Sequence, residues 1–157
     1  MYKQELQTNN KSKWVNTREF IIIHHTGTKQ GTIEWVLNTL TKWKVSVHYV
    51  VDFNWDIYKI WSTKDILWHC WKSEWKWKTN MNKYSIWIEV IWWVWEEFPL
   101  AQRQAVRELI QHLMATFNIS KENVLRHSDI APWRKIDISD SFWNHWFKSW
   151  KKYQDSL

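Results

Sequence analysis

The stretch Phe20-Ile21-Ile22-Ile23-His24 is a continuous apolar run, rich in β-branched residues, that stops at a histidine. Such a run is typical of a strand that is buried on both faces of a sheet. The shorter run Val124-Leu125 leads in the same way to His127. Because sites in open α/β sheets lie beyond the strand ends, these two histidines are candidates for one shared site.

The segments after the first strand alternate between helical and strand patterns. Thr32 can cap a helix that runs to about Lys42, with apolar residues three and four positions apart on one side. Residues 45–53 and 57–61 then predict two strands, which form a β-hairpin around the turn Asn54-Trp55-Asp56.

A further strand is predicted for residues 85–91, and its two faces differ. One face carries Ile86, Ile88 and Val90, and the other carries Trp87, Glu89 and Ile91. Glu89 is the odd member of its face because every other side chain in these two sets is apolar.

The clearest helical pattern begins at Pro99 and ends near Asn118, with apolar residues at helical spacing. Strands interleaved with two helices, and no internal repeat or linker, predict a single-domain α/β fold over residues 1–157. Its centre is a mixed β-sheet flanked by helices. Residues 1–13 are polar and are expected to be disordered. Residues 141–157 form an aromatic and basic tail, which is expected to be helical near its middle.

The composition limits the classes of partner and compartment. A single cysteine, Cys70, excludes an internal disulfide and a cysteine-rich zinc module. The formal net charge of +6 favours an anionic partner, which could be nucleic acid, an acidic membrane surface or a cell-wall polymer. We find no apolar signal segment or membrane-spanning run, so we expect synthesis in the cytoplasm without a signal peptide.

Seventeen tryptophans beside two glycines invert ordinary usage, in which glycine makes up roughly 7% of residues. Trp55 lies in the predicted hairpin turn, where a positive φ and an Asn-Gly pair are favoured. Trp43 follows the first helix at a position where glycine usually ends a helix. The cluster Ile91-Trp92-Trp93-Val94-Trp95 would be typical of a flexible loop if its tryptophans were glycines.

We therefore hypothesise that many tryptophans stand where the native protein has glycine. One route is a codon that the source translates as glycine and that was rendered as tryptophan. Trp68, Trp75, Trp143 and Trp150 fit the pattern of genuine aromatic residues. The alternative is a chain that is rich in tryptophan by nature or by engineering.

A metal site is one chemistry that the two strand-end histidines could share. Catalytic zinc takes three protein ligands and keeps a fourth position open, and histidine with carboxylate suits it. Asp137 is close enough in sequence to His127 to complete a ligand set with His24. The alternative is that each histidine is a hydrogen-bonded core residue, which is common at strand ends.

Four ordered blocks carry a family resemblance. They are Ile21-Ile22-Ile23-His24-His25-Thr26, Val45-Ser46-Val47-His48-Tyr49-Val50-Val51-Asp52, Asn82-Lys83-Tyr84-Ser85-Ile86-Trp87-Ile88-Glu89, and His127-Ser128-Asp129-Ile130-Ala131-Pro132-Trp133-Arg134-Lys135-Ile136-Asp137. Together they resemble the type 2 N-acetylmuramoyl-L-alanine amidases, which are related to phage lysozyme-type amidases and peptidoglycan recognition proteins. The resemblance covers residues 20–139, nearly the whole predicted fold.

The resemblance implies zinc-dependent hydrolysis of the amide that joins the lactyl group of N-acetylmuramic acid to L-alanine in peptidoglycan. It implies that His24, His127 and Asp137 bind the zinc ion. It also implies that Glu89 is the general base or acid and that Lys135 stabilises the oxyanion. These roles are chemically coherent, since zinc polarises a carbonyl while a carboxylate and an ammonium group handle the proton and the developing charge.

Some positions depart from the family pattern. Relatives that place a tyrosine beside the metal have it where this chain has Val47, so Glu89 is expected to carry more of the proton transfer. Trp87 and Trp133 stand where the family has glycine, and a tryptophan at position 133 is expected to crowd the metal site. The resemblance implies that the first histidine of the pair is the ligand, so His25 is expected to stay outside the ligand set.

Other residues of the matched region have alternative roles. His69 belongs to a segment that lines the substrate groove in the family, so it is a candidate for substrate contact. Asn82 either braces the strand that follows it or touches the substrate, and Arg134 could bind a substrate carboxylate. His48 lies within a strand and is expected to be a hydrogen-bonded core residue. Cys70 is expected to be a packing residue rather than a nucleophile, since no activating motif surrounds it.

The expected partner is peptidoglycan or a muropeptide, and the basic charge favours encounter with an anionic wall. We expect a monomer with no membrane span and no nucleic-acid partner. One alternative is a non-catalytic peptidoglycan-binding module of the same fold, but retention of the ligands, Glu89 and Lys135 argues against it. A second alternative, a basic nucleic-acid binder, leaves the four blocks unexplained. Phage-type lysis, wall recycling and wall remodelling all use this reaction and stay open.

Overall fold

The apolar run at Phe20 lies inside a five-stranded sheet in the computed structural model of the chain. The structure describes residues 2, 11–28, 32–42, 45–92, 97–138, 142 and 149–157. The strands are β1 (Lys11–Val15), β2 (Phe20–His25), β3 (Tyr49–Val51), β4 (Ile57–Lys59), β5 (Asp65–Leu67), β6 (Glu74–Trp75), β7 (Lys78–Thr79), β8 (Ser85–Val90) and β9 (Val124–Arg126). The helices are α1 (Ile33–Lys42), α2 (Leu100–Phe117), α3 (His127–Ile130) and α4 (Trp150–Asp155).

The central sheet has the strand order β4-β3-β8-β2-β9. β8 runs parallel to β2 and β3, and β9 runs parallel to β2, whereas β4 pairs antiparallel with β3. The sheet is therefore mixed, as the sequence predicts. Because parallel neighbours end at the same edge of a sheet, the ends of β2, β8 and β9 lie together.

Alternate residues of β8 divide the hydrophobic core into two layers. One layer contains Ile86, Ile88 and Val90 together with Val106, Leu109, Ile110 and Leu113 of α2. The other layer contains Trp87 and Ile91 together with Val36 and Leu40 of α1. Successive side chains of a strand point to opposite faces, so α1 and α2 cover opposite faces of the sheet. The predicted single-domain α/β fold is confirmed.

Both long helices have the ends that the sequence predicts. The Thr32 hydroxyl accepts a hydrogen bond from the backbone N–H of Trp35 at 3.2 Å, which caps α1. Pro99 directly precedes α2, and Asn118 ends it in the left-handed conformation, with φ 53° and its N–H bonded to the Met114 carbonyl. None of the described helices has both the length and the apolar character that crossing a membrane requires.

β3 and β4 form the predicted hairpin, although both strands are shorter than expected. Oδ1 of Asp52 accepts hydrogen bonds from the N–H groups of Asn54 at 2.9 Å and Asp56 at 3.0 Å. This carboxyl group fixes the turn around Trp55, which adopts a φ of 56°.

The N-terminal end of the chain differs from the prediction. The expected disorder of residues 1–13 is wrong for residues 11–13, because β1 pairs antiparallel with β5 and Lys11 forms an ion pair with Asp65 at 3.0 Å. In the C-terminal tail the described helix is α4, and the prediction for residues 143–148 lies outside the described residues. The predictions for residues 3–10, 43, 93–95 and 143 lie outside the described residues.

His48 is a hydrogen-bonded core residue, as its strand position predicts. Its side chain is fully buried. The backbone N–H of Trp87 donates to Nδ1 at 3.0 Å, so the proton of the neutral ring is on Nε2, which donates to the Asp65 carbonyl at 3.1 Å. Burial lowers the pKa of His48 to about 4, so the imidazole is neutral in the folded protein at neutral pH.

We expect His48 to lower the free energy of unfolding by roughly 3 kcal/mol as the pH falls from about 6.5 to about 4. The unfolded histidine takes up a proton near pH 6.5, whereas the buried one stays neutral to about pH 4, so acid favours the unfolded chain. Chemical denaturation of the wild type and His48→Gln across this range measures the effect, because glutamine can donate and accept but does not titrate. Equal pH slopes for the two proteins would refute the assignment.

Candidate metal centre and active site

The ends of β2 and β9 bring His24 and His127 together. His24 is the second-last residue of β2, and His127 follows β9 as the first residue of α3. The strand register places Ile23 beside Arg126, so the residues that follow them, His24 and His127, are neighbours. The two imidazole ring centroids are 3.8 Å apart, and both side chains are buried.

Asp137 completes the group from the loop that follows α3. Its Oδ2 lies 2.7 Å from Nδ1 of His24 and 3.0 Å from Nδ1 of His127. The backbone N–H of Ser128 donates to the Asp137 carbonyl at 2.7 Å, which ties this loop to α3. Ligand atoms from the three residues lie within 4.8 Å of one another. The structure thus brings together the three residues that the sequence proposes as ligands.

Burial keeps the two imidazoles neutral. It lowers the pKa of His24 to about 3, and it lowers the pKa of His127 as well. Burial acts to raise the pKa of Asp137, but His24 and His127 outweigh it and hold the pKa well below its usual range. Nε2 of both histidines is also buried without a hydrogen-bond partner among the described residues. Two neutral imidazoles and a carboxylate are a donor set that fits zinc.

Glu89 and Lys135 line the same cavity as His24. This cavity has a volume of about 220 Å³ and extends from the metal group to α1. The register of β8 against β2 pairs Glu89 directly with His24. Burial, and then the negative charge of Asp137, raise the pKa of Glu89 to about 8, while Lys135 acts in the opposite direction. Glu89 therefore changes protonation near neutral pH.

Trp87 is fully buried against three histidine rings. Its ring centroid lies 3.2 Å from that of His69, 4.2 Å from that of His24 and 5.5 Å from that of His127. The first two distances are shorter than the roughly 4.5 Å at which aromatic pairs usually begin. The indole in the middle of β8 therefore crowds the candidate metal centre.

Trp133 does not crowd the metal centre, contrary to the sequence prediction. Its side chain is 57% exposed and lines a neighbouring cavity of about 490 Å³ with Trp68 and Trp71. The N–H groups of Arg134 and Lys135 both donate to the Ala131 carbonyl, at 3.1 and 3.0 Å. This turn follows Ala131 and leaves Trp133 in the lining of the neighbouring cavity.

Asn82 and Arg134 both hold the segment that carries His69. Oδ1 of the buried Asn82 accepts hydrogen bonds from the N–H groups of His69 and Cys70, both at 3.2 Å. Nη2 of Arg134 donates to the carbonyls of Cys70 and Lys72, the latter at 2.8 Å. Asn82 therefore braces this segment rather than the strand that follows it. The Arg134 guanidinium is directed at backbone carbonyls.

The two other histidines near the centre, His25 and His69, both line the cavity that contains Glu89. His25 is outside the metal group, and its ring centroid is 6.3 Å from that of Phe98. His69 lines the cavity with Glu89, its ring centroid is 6.3 Å from that of His24, and both of its ring nitrogens lack a partner among the described residues. Trp35 of α1 also lines this cavity. The sequence did not indicate this position, because Trp35 is not one of the regularly spaced apolar residues that predict the buried side of the helix.

Cys70 packs inside the protein. Its Sγ lies 2.9 Å from Oγ of Ser73 and donates to Oδ1 of Asn82 at 3.1 Å. Burial raises the pKa of the thiol to about 12. The thiol is therefore protonated at neutral pH, and this protonated state is unsuited to nucleophilic attack.

Several known proteins are similar to this chain. A family model described as N-acetylmuramoyl-L-alanine amidase matches residues 15–140. The chain is 33% identical over 138 residues to the N-acetylmuramoyl-L-alanine amidase AmiD of Escherichia coli K12, covering 78% of this chain and 49% of AmiD. It is 29% identical over 115 residues to the 1,6-anhydro-N-acetylmuramyl-L-alanine amidase AmpD of Haemophilus influenzae, covering 73% and 59%. The chain spans about half the length of the curated relatives it matches.

A solved structure of AmiD from E. coli has the same fold. That structure is a complex with the substrate anhydro-N-acetylmuramic acid-L-Ala-D-γ-Glu-L-Lys. It matches with a TM-score of 0.74 at 30% identity, covering 88% of this chain and 58% of that chain. The likeness supports the mixed-sheet architecture described above.

We expect Cys70 to react with an aromatic disulfide reagent roughly 100-fold or more slowly in the folded protein than in the denatured chain at about pH 8. Burial both hides the sulfur and keeps it protonated, and denaturation removes both effects. The absorbance of the released thiol measures the two rates. Fast reaction of the folded protein would contradict the packing role and would reopen a nucleophilic one.

Proposed function

The chain belongs to the N-acetylmuramoyl-L-alanine amidase family, and we propose that it hydrolyses the amide between the lactyl group of N-acetylmuramic acid and L-alanine in peptidoglycan or a muropeptide. The convergence of His24, His127 and Asp137 beside Glu89 carries this proposal. A module that only binds peptidoglycan has no need of a buried ligand set with an acid beside it. The net charge of +6 favours encounter with an anionic wall.

We assign zinc as the cofactor, held by His24, His127 and Asp137. When bound, zinc polarises the scissile carbonyl and lowers the pKa of a water molecule. The three side chains already have the protonation states that zinc binding requires. Burial keeps both histidines neutral, and their proximity keeps the Asp137 carboxyl group ionised.

Glu89 is the proton carrier in this proposal. With a pKa near 8, its carboxyl group has both protonation states within reach at neutral pH. It can therefore take a proton from the attacking water and return it to the leaving nitrogen. Val47 lines the same cavity at the position where some relatives have tyrosine, and it has no proton to exchange, so Glu89 carries more of the transfer.

Lys135 stabilises the negative charge that develops on the carbonyl oxygen. Lys135 lines the same cavity as His24 and Glu89, and its positive charge opposes the rise in the pKa of Glu89 that burial and Asp137 cause. The hydrogen bond from its backbone N–H to the Ala131 carbonyl at 3.0 Å fixes the backbone position from which the side chain extends. An ammonium group positioned at the wall of the cavity is suited to this role.

We assign substrate contact to His69, and positioning roles to Asn82 and Arg134. His69 lines the cavity together with Glu89 and Lys135. Asn82 and Arg134 act through the backbone of the segment that carries His69, because their hydrogen bonds end on its N–H and carbonyl groups. Arg134 also belongs to the loop between two of the ligands, so it connects the cavity wall to the metal group.

We expect the zinc-loaded protein to release new L-alanine amino termini from purified peptidoglycan or a synthetic muropeptide, and chelation to stop the release. The assay uses the parent chain and its Trp87→Gly variant, because the Trp87 indole lies among the rings of the site. Labelling of the new amino termini followed by mass spectrometry identifies the cleaved bond. Cleavage at a different bond, or undiminished cleavage after complete zinc removal, would overturn the proposal.

The ligand assignment has a matched control in the neighbouring histidine. His127→Ala should lose zinc as well as activity, because it removes one of three ligands. His25→Ala should keep stoichiometric zinc, because His25 lies outside the group. Elemental analysis of the two purified proteins measures the difference. Equal zinc contents would remove the site from consideration.

We expect Glu89→Gln to lower kcat roughly 100-fold or more with zinc still bound, because glutamine keeps the shape but cannot carry a proton. Glu108→Gln is the control, since Glu108 is an exposed carboxyl group on α2. Steady-state kinetics with the muropeptide, together with zinc analysis, measures both variants. Near-normal turnover by the zinc-loaded Glu89 variant would show that another group moves the proton.

A further inference from the structure

We infer that positions 55, 71 and 87 carry glycine in the protein that the native source makes, and that glycine at position 87 opens the metal centre. The inference goes beyond the proposed function, and only its zinc measurement rests on the proposed metal site. A source that translates one codon as glycine, where ordinary translation inserts tryptophan, accounts for all three positions. It also accounts for a chain with seventeen tryptophans and two glycines.

Two of these positions have a backbone conformation that favours glycine. Trp55 has a φ of 56° and Trp71 a φ of 40°. A side chain larger than glycine is strained in this region, and bulky residues are rarely found there. Gly27, one of the two glycines in the chain, adopts a φ of 65°. Glycine would therefore remove strain at both tryptophan positions.

The indoles at these two positions gain little from packing. Trp55 is 54% exposed and Trp71 is 82% exposed. Arg18 and Lys76 also have positive φ, so the angle alone does not identify a glycine position. The combination of positive φ with a large, exposed apolar side chain does, because it has a cost in strain without a matching gain from burial.

The turn at position 55 cannot easily relax to accommodate tryptophan. Its N–H donates to the Asp52 carbonyl at 3.0 Å, and the Asp52 side chain accepts bonds from both neighbours, Asn54 and Asp56. These three hydrogen bonds define the tight turn between β3 and β4. A tight hairpin turn with positive φ is a site where glycine is strongly favoured.

Position 87 requires a small residue for a different reason. The Trp87 side chain is fully buried, and its ring lies 3.2 Å from the His69 ring and 4.2 Å from the His24 ring, centroid to centroid. Overpacking of this kind forces neighbouring side chains and backbone to shift. Glycine would free this volume for the two imidazoles and for an ion beside His24.

Trp150 shows how a genuine tryptophan of this chain behaves. It begins α4, outside the positive φ region. Its ring stacks on Tyr153 at a centroid distance of 5.2 Å, and the Arg126 guanidinium lies 5.6 Å from its centroid. This side chain has partners at ordinary distances, so it is the matched control for the other three.

Peptide mass spectrometry of the protein purified from its native source tests the inference directly. We expect glycine at positions 55, 71 and 87 and tryptophan at position 150. Tryptophan at any of the first three positions in the native protein would overturn the inference for that position. This measurement does not depend on amidase activity, so its failure is distinct from failure of the proposed function.

Variants of the recombinant chain give an independent test. Trp55→Gly and Trp71→Gly should leave Tm unchanged or raise it, whereas Trp150→Gly should lower it. Trp87→Gly should bind zinc roughly tenfold or more tightly than the parent chain, because crowding of the ligands is relieved. Competition with a coloured chelator measures zinc affinity, and circular dichroism verifies folding. Lower Tm for both turn variants, or unchanged zinc affinity of folded Trp87→Gly, would count against the inference.

Discussion

The parallel pairing of β2 with β8 and β9 is the constraint on which the rest of the structure depends. Parallel strands end at one edge of the sheet, so a single register places His24 at the end of β2, Glu89 opposite it, and His127 one residue beyond β9. A slip of one residue would turn these side chains to the wrong face and would also exchange the two hydrophobic layers on β8. The packing of α1 and α2 against those layers therefore stabilises the strand register that brings His24, Glu89 and His127 together.

Burial then sets the protonation of the site, with opposite results for its two kinds of group. Exclusion of water disfavours the charged form, so it lowers the pKa of His24 and raises that of Glu89. Asp137 escapes this trend because two imidazoles surround its carboxyl group. One environment thus contains two neutral imidazoles, an ionised carboxylate and a second carboxyl group with a pKa of about 8. Burial and the proximity of these groups to one another account for all of these protonation states.

Much of this arrangement was predictable, since strands buried on both faces and long amphipathic helices leave clear patterns in a sequence. The ordered family blocks led to the same ligand set that the structure brings together. β1 is mostly exposed, and β5, β6 and β7 have only two or three residues each, so they leave no such pattern. The partners of Asn82 and Arg134 were also hidden, because their bonds to Cys70 span 12 and 64 residues of sequence. The exposure of Trp133 depends on the turn in which the N–H groups of Arg134 and Lys135 bond to the Ala131 carbonyl, and the sequence pattern does not indicate this turn.

The Arg134 bonds to Cys70 and Lys72 have a mechanical consequence. They join the segment that lines the cavity of about 490 Å³ to the loop that ends in Asp137, so a displacement of that segment would pull on this loop. A bound molecule that widened this cavity would therefore also displace the loop that carries Asp137. The same hydrogen bonds would thus couple the width of the cavity to the geometry of the three converging side chains.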